Sequence, residues 1–81
     1  MTIEEAFGQV VREARKEKKL SQEKLADLSS LDRSFISLLE SGRKQPSLVT
    51  IFQLAKALGI PASIIIASVE RKIWDSVLSR T

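Results

Sequence analysis

Apolar residues return at steps of three and four along most of the chain, and the breaks in that rhythm mark out five predicted helices. The first spans about Ile3 to Lys18, with Ile3, Phe7, Val10, Val11 and Ala14 on one stripe. Thr2 is placed to cap it, and Glu4 and Glu5 suit the positive end of its dipole. The second follows Ser21, a good N-cap, and turns Leu25, Ala26 and Leu28 inward until Ser29-Ser30 interrupts it. The third starts at Asp32, again a favoured cap, and runs to Ser41 with Leu31, Phe35, Ile36 and Leu39 as its apolar positions. Gly42 is the expected stop, and Pro46 forces Gln45 out of the helical region, so residues 42–46 form a loop. Ser47 caps the fourth helix, whose inner positions are Leu48, Ile51, Phe52, Leu54, Ala55 and Leu58, and Gly59 ends it. Pro61 sits near the first turn of a fifth helix, expected over residues 62–80.

The pattern describes an all-α protein, and 81 residues make one domain over residues 1–81. The 43% hydrophobic content is ordinary for a globular chain. A core of this size buries only about 60% of the unfolded surface, so self-association is the natural supplement to its stability.

Chemistry is limited by what is missing. Without cysteine or histidine there are no disulfides, no thiolate metal sites and no imidazole base. No acidic pair has a catalytic spacing, so neither enzymatic activity, metal nor cofactor is expected. The N-terminus lacks a basic segment followed by an apolar one, and the longest apolar run is Ile64 to Ala67. A soluble, cytoplasmic protein with no membrane partner is therefore expected. The formal charge of +3 is modest, but it is unevenly spread: Arg12, Arg15, Lys16, Lys18 and Lys19 crowd one stretch, Arg43 and Lys44 another. Such clusters serve either a solvated surface or an anionic partner.

The second and third helices are separated by only about three residues, Ser29 to Leu31, which requires a steep crossing. Ala26 is small enough to allow the close approach. Leu25, Leu31, Ile36 and Leu39 then face inward. Arg33, Ser34 and Ser37 face outward, with Phe35 and Leu38 turned partly out. An exposed helix face with an arginine, two hydroxyls and apolar atoms suits the base edges of duplex DNA, where Arg pairs with guanine and apolar groups meet the thymine methyl.

The stretch from Ser21 to Ser47, and above all Leu31-Asp-Arg-Ser-Phe-Ile-Ser37, resembles the Xre family of phage-repressor-like and Cro-like regulators and the restriction-modification controller proteins. The resemblance covers about residues 7 to 61. It implies a five-helix, lambda-repressor-like fold with a helix-turn-helix that binds double-stranded DNA. It also implies base contact by Arg33, Ser34, Ser37 and Leu38, and backbone contact by Gln22, Phe35, Arg43 and Lys44. Arg15 and Glu40 match a pair that forms a largely buried ion bridge. Phe35 stands where the controllers usually carry tyrosine, and Ser30 where a turn glycine is usual; serine takes the left-handed conformation only at some cost.

The fifth helix carries more apolar surface than one core needs. Ile66, Val69, Ile73 and Val77 form a stripe that Ile64, Ile65, Trp74 and Leu78 widen past half the circumference. A homodimer interface of Ile65, Ile66, Val69, Ile73, Trp74 and Val77 is expected, with Trp74 as its anchor and Glu70 requiring a partner such as an arginine of the second subunit. The readings that stay open are a controller of a restriction-modification operon, a phage-type repressor, an antitoxin, and an adaptor that uses the same scaffold to bind protein. RNA polymerase is a further candidate partner of a regulator.

Overall fold

A computed structural model describes residues 1–78. Five helices follow one another: α1 (Ile3–Glu17), α2 (Gln22–Ser29), α3 (Arg33–Glu40), α4 (Leu48–Leu58) and α5 (Ala62–Leu78). The expected continuation of the last helix to residue 80 lies outside the described residues. Among those described no strand occurs, and no single helix is long and apolar enough to cross a membrane.

Local chemistry accounts for most boundaries. Thr2 and Glu5 form a reciprocal capping box, each side chain accepting from the other's backbone N–H at 3.0 and 2.8 Å. The hydrogen bond from the Thr2 amide, first among the causes, holds the Glu5 carboxyl below its ordinary pKa. Ser21 accepts from the Lys24 amide and Ser47 from the Thr50 amide. Asp32 occupies the N-cap position of α3 with extended backbone, yet its side chain makes no capping hydrogen bond. The sequence reading of Asp32 as a side-chain cap is thus corrected; its carboxylate is left at the surface. Two turns take left-handed backbone without glycine, at Lys19 and Ser30. Ser30 adopts φ 59° and ψ 36°, so the turn between α2 and α3 keeps the geometry a glycine would give, at serine's steric expense. Gly42 combines a φ of +76° with the Glu5 side chain pressed against it, which leaves no room for a Cβ.

The core is built from Val11, Leu25, Ile36, Leu39, Leu54, Leu58 and Ile65, all but fully buried. α1 lies across α3 and α5, while α2 rests on α3 and α4. The axes of α4 and α5 turn by 107° at the Gly59–Pro61 break. Ala26 is buried where α2 meets its neighbours, as its size demands.

Several inward assignments are corrected. Ile3, Leu28, Leu48 and Phe52 are largely exposed, the last two at 70% and 60%. Two polar residues of α2 and α4 are buried. Ser29 is buried with its hydroxyl donating to the Leu25 carbonyl at 2.6 Å, and Thr50 is buried with its Oγ1 2.9 Å from the Ser47 Oγ. Apolar periodicity specifies a stripe, but an eight- or eleven-residue helix needs only the part of that stripe its neighbours can reach.

Candidate nucleic-acid interface

The short helix α3 is held rigidly from behind. Ile36 and Leu39 have no exposure, and Leu31 and Phe35 pack against the same core. The opposite side presents Arg33, Ser34, Ser37, Leu38 and Ser41 to solvent as one continuous stripe. Beyond it the chain closes the helix end with the Gly42 and Arg43 amides, which donate to the carbonyls of Leu39 and Leu38. Arg43 and Lys44 then follow, both exposed. Arg33, Ser34, Ser37 and Leu38 therefore share one face, with two cations immediately past its C-terminal end. Phe35 differs from the rest: it is half-buried at the edge of the core, so packing accounts for most of its surface.

The base of this face is fixed by a charged cluster. Arg15 Nε and Nη2 donate to the two Glu40 oxygens at 2.7 and 3.0 Å, a bidentate pair whose side chains are only 11% and 4% exposed. Arg15 Nη1 donates to the Leu20 carbonyl at 2.8 Å, so one guanidinium ties α1 to α3 and also closes the turn into α2. The carboxylate beside it raises the Arg15 pKa further, outweighing the effect of burial. Gln22 Nε2 completes the group by donating to Glu40 Oε1 at 3.1 Å. Gln22, expected at a phosphate, is thus first a brace at the start of α2, still partly open to solvent.

Sequence reasoning missed Gly8 in this arrangement. A Cβ there would stand 2.3 Å from the Leu39 carbonyl oxygen and 2.8 Å from that of Glu40, so α1 reaches the end of α3 only through a bare backbone. A glycine inside an otherwise regular apolar stripe was the available signal.

The fifth helix divides along its length. Ile65 and Val69 are core residues, buried at 1% and 7%, which corrects their assignment to a dimer interface: the early part of α5 must cover α1 and α4. Ile73 is partly buried against the core, whereas Ile66, Trp74 and Val77 are exposed. An apolar groove of about 420 Å³ lies among Ile3, Ile66, Val69, Ile73 and Trp74, with Glu70 at its margin. Leu48, Val49 and Phe52 expose further apolar surface on α4. No group of His, Cys, Asp or Glu suited to a metal ion occurs among the described residues.

Residues 11–65 match the family described as HTH_3, Helix-turn-helix. The chain is 37% identical to the control protein C.MunI of Mycoplasma sp over 82% of its own length and 90% of the relative's. It is 44% identical to the immunity repressor of Bacillus phage phi105 over 73% of its length, but spans only 41% of that repressor. The crystal structure of the restriction-modification controller protein C.AhdI from Aeromonas hydrophila superposes with a TM-score of 0.75 at 48% identity, covering 76% of this chain and 94% of that one.

Proposed function

This chain belongs to the helix-turn-helix family, among its Xre-like regulators, and on that premise we propose that it binds a short palindromic DNA operator as a homodimer and thereby controls transcription. The observation that carries the reading is the open stripe of Arg33, Ser34, Ser37 and Leu38 on a helix whose other side is wholly committed to the core. A rigid helix with one bare, arginine-bearing face can enter the major groove without first rearranging. Arg43 and Lys44 follow that helix where flanking phosphates pass, and their exposure leaves them available for charge neutralisation.

The second copy is supported by apolar surface that this chain leaves uncovered. Ile66, Trp74 and Val77 on α5, and Leu48, Val49 and Phe52 on α4, stand open to solvent. Exposed aromatic and aliphatic groups at that density mark association surfaces in small domains. Two-fold pairing would set two α3 helices about one DNA turn apart, roughly 34–36 Å, and requires a palindromic site.

The specific role we favour is the controller of a restriction-modification operon, because the match to the control protein C.MunI spans 90% of that protein. A phage-type repressor is the second reading, supported by the 44% identity to the phi105 protein over its matching segment.

Selection of bound sequences from random duplexes tests the function. The protein should enrich a palindrome containing guanine, and Arg33→Ala should weaken binding to it about 5- to 150-fold, the 1–3 kcal/mol of one bidentate contact, while relaxing the guanine preference. Enrichment of no sequence, or the same motif selected equally well by Arg33→Ala, would refute the assignment.

A further inference from the structure

We propose that Arg12 is a phosphate-binding residue, seated in a polar cleft at the border of the α3 face, and that it supplies affinity for duplex DNA irrespective of sequence. The proposal rests on the DNA-binding reading above and adds to it a contact that neither the motif nor the basic loop contains.

The cleft has a volume of about 240 Å³ and is lined by Arg12, Arg15, Gln22, Ser37, Glu40 and Ser41. Ser37 and Ser41 belong to the exposed stripe of α3, so the cleft adjoins the surface that carries Arg33. Its charges do not cancel. Both oxygens of Glu40 are engaged, one by Arg15 Nε and the other by Arg15 Nη2 and Gln22. Arg15 in turn is held by Glu40 and the Leu20 carbonyl. Arg12, one turn earlier on α1, is exposed and makes no ion pair among the described residues. Its sequence neighbour Glu13 is bound to Lys72 at 3.0 Å. The cleft thus holds one uncompensated cation beside an internally neutralised pair.

The remaining lining matches an oxyanion. Ser37 makes no side-chain hydrogen bond among the described residues, which leaves its hydroxyl able to donate. Ser41 already donates to the Leu38 carbonyl at 3.0 Å and offers only lone pairs. A phosphodiester brings one negative charge and two unbridged oxygens, suited to a guanidinium together with a hydroxyl. A lone exposed arginine holds a free anion weakly in water. A duplex positioned by α3 presents its phosphate already in place, so the contact belongs to backbone DNA and not to a dissolved ion.

The test compares wild type, Arg12→Ala and Arg12→Lys on the selected operator and on an unrelated duplex of equal length, over a salt series. Arg12→Ala should weaken binding to both duplexes by the same factor. It should flatten the slope of log affinity against log salt by about 0.9 per bound subunit, while Arg12→Lys keeps the wild-type slope. Melting temperature and selected sequence should not change. An unchanged affinity and slope in Arg12→Ala, or a loss confined to the operator, would overturn the phosphate assignment while leaving the DNA-binding reading intact. Wild-type protein that binds neither duplex would sink both.

Discussion

Replacing Glu40 by alanine should lower stability by about 3–5 kcal/mol, because it leaves the Arg15 guanidinium charged and largely buried without its partner. A domain of this size holds roughly 4–12 kcal/mol in total, so the variant should be close to unfolding at physiological temperature. For so small a domain each kcal/mol moves the melting temperature by about 4–8 °C. A fall of at least about 12 °C in a calorimetric or circular-dichroism melt is expected. Three connections fail together, since Glu40 receives Arg15 and Gln22 and holds the guanidinium that closes the turn at Leu20. The sign of a companion variant separates charge burial from lost packing. Converting both residues to apolar ones, Arg15→Met with Glu40→Leu, should cost less than Glu40→Ala alone, because no charge then remains unpaired. A Glu40→Ala melt within 2 °C of wild type would contradict the account.

The second large effect is expected at Gly8, where general propensity and this structure point in opposite directions. Glycine inside a helix is worse than alanine by about 1 kcal/mol, so Gly8→Ala would ordinarily stabilise α1. Here the new methyl would lie 2.3 Å from the Leu39 carbonyl oxygen and 2.8 Å from that of Glu40, and both obstacles are backbone. Backbone cannot rotate aside as a long side chain can. α1 and α3 must separate, which disturbs the Arg15–Glu40 pair and the packing between the two helices as well. We expect a net loss of about 1–3 kcal/mol, the usual range for overpacking, after the propensity gain is counted. Urea unfolding measures it directly: the midpoint of Gly8→Ala should fall, and a midpoint at or above the wild-type value would show that the crossing is looser than described.

These two sites show where sequence reasoning reaches and where it stops. Helix positions were readable because caps are local: Thr2, Ser21 and Ser47 each meet an amide three residues on, a contact that needs no tertiary information. The stripe of α3 was readable for a related reason, since eight residues with Ile36 and Leu39 inward fix which side remains outside. The partner of Arg15 is different. Glu40 lies 25 positions away, and nothing periodic links the two; the family resemblance supplied that pairing. Gly8 was passed over because a sequence does not show which backbone will cross a given glycine.

Inward and outward assignments failed where a helix is short or its neighbour ends early. Leu48 and Phe52 have the right period and the wrong surroundings, because α4 is covered only along the side that carries Leu54, Ala55 and Leu58. On α5 the error ran the other way. An apolar arc too wide for one core points Ile65 and Val69 towards a partner subunit, yet that width is shared: its early residues complete this chain's interior, and Ile66, Trp74 and Val77 carry the excess.

The central claim is that the open side of α3 enters the groove of a duplex. Amide chemical shifts of isotope-labelled protein, followed while the selected operator is added, address it most directly. The account predicts the largest movements at Arg33, Ser34, Ser37 and Leu38, with smaller ones at Gln22, Arg43 and Lys44. Saturating DNA that shifts α5 and leaves those α3 amides where they began would contradict it.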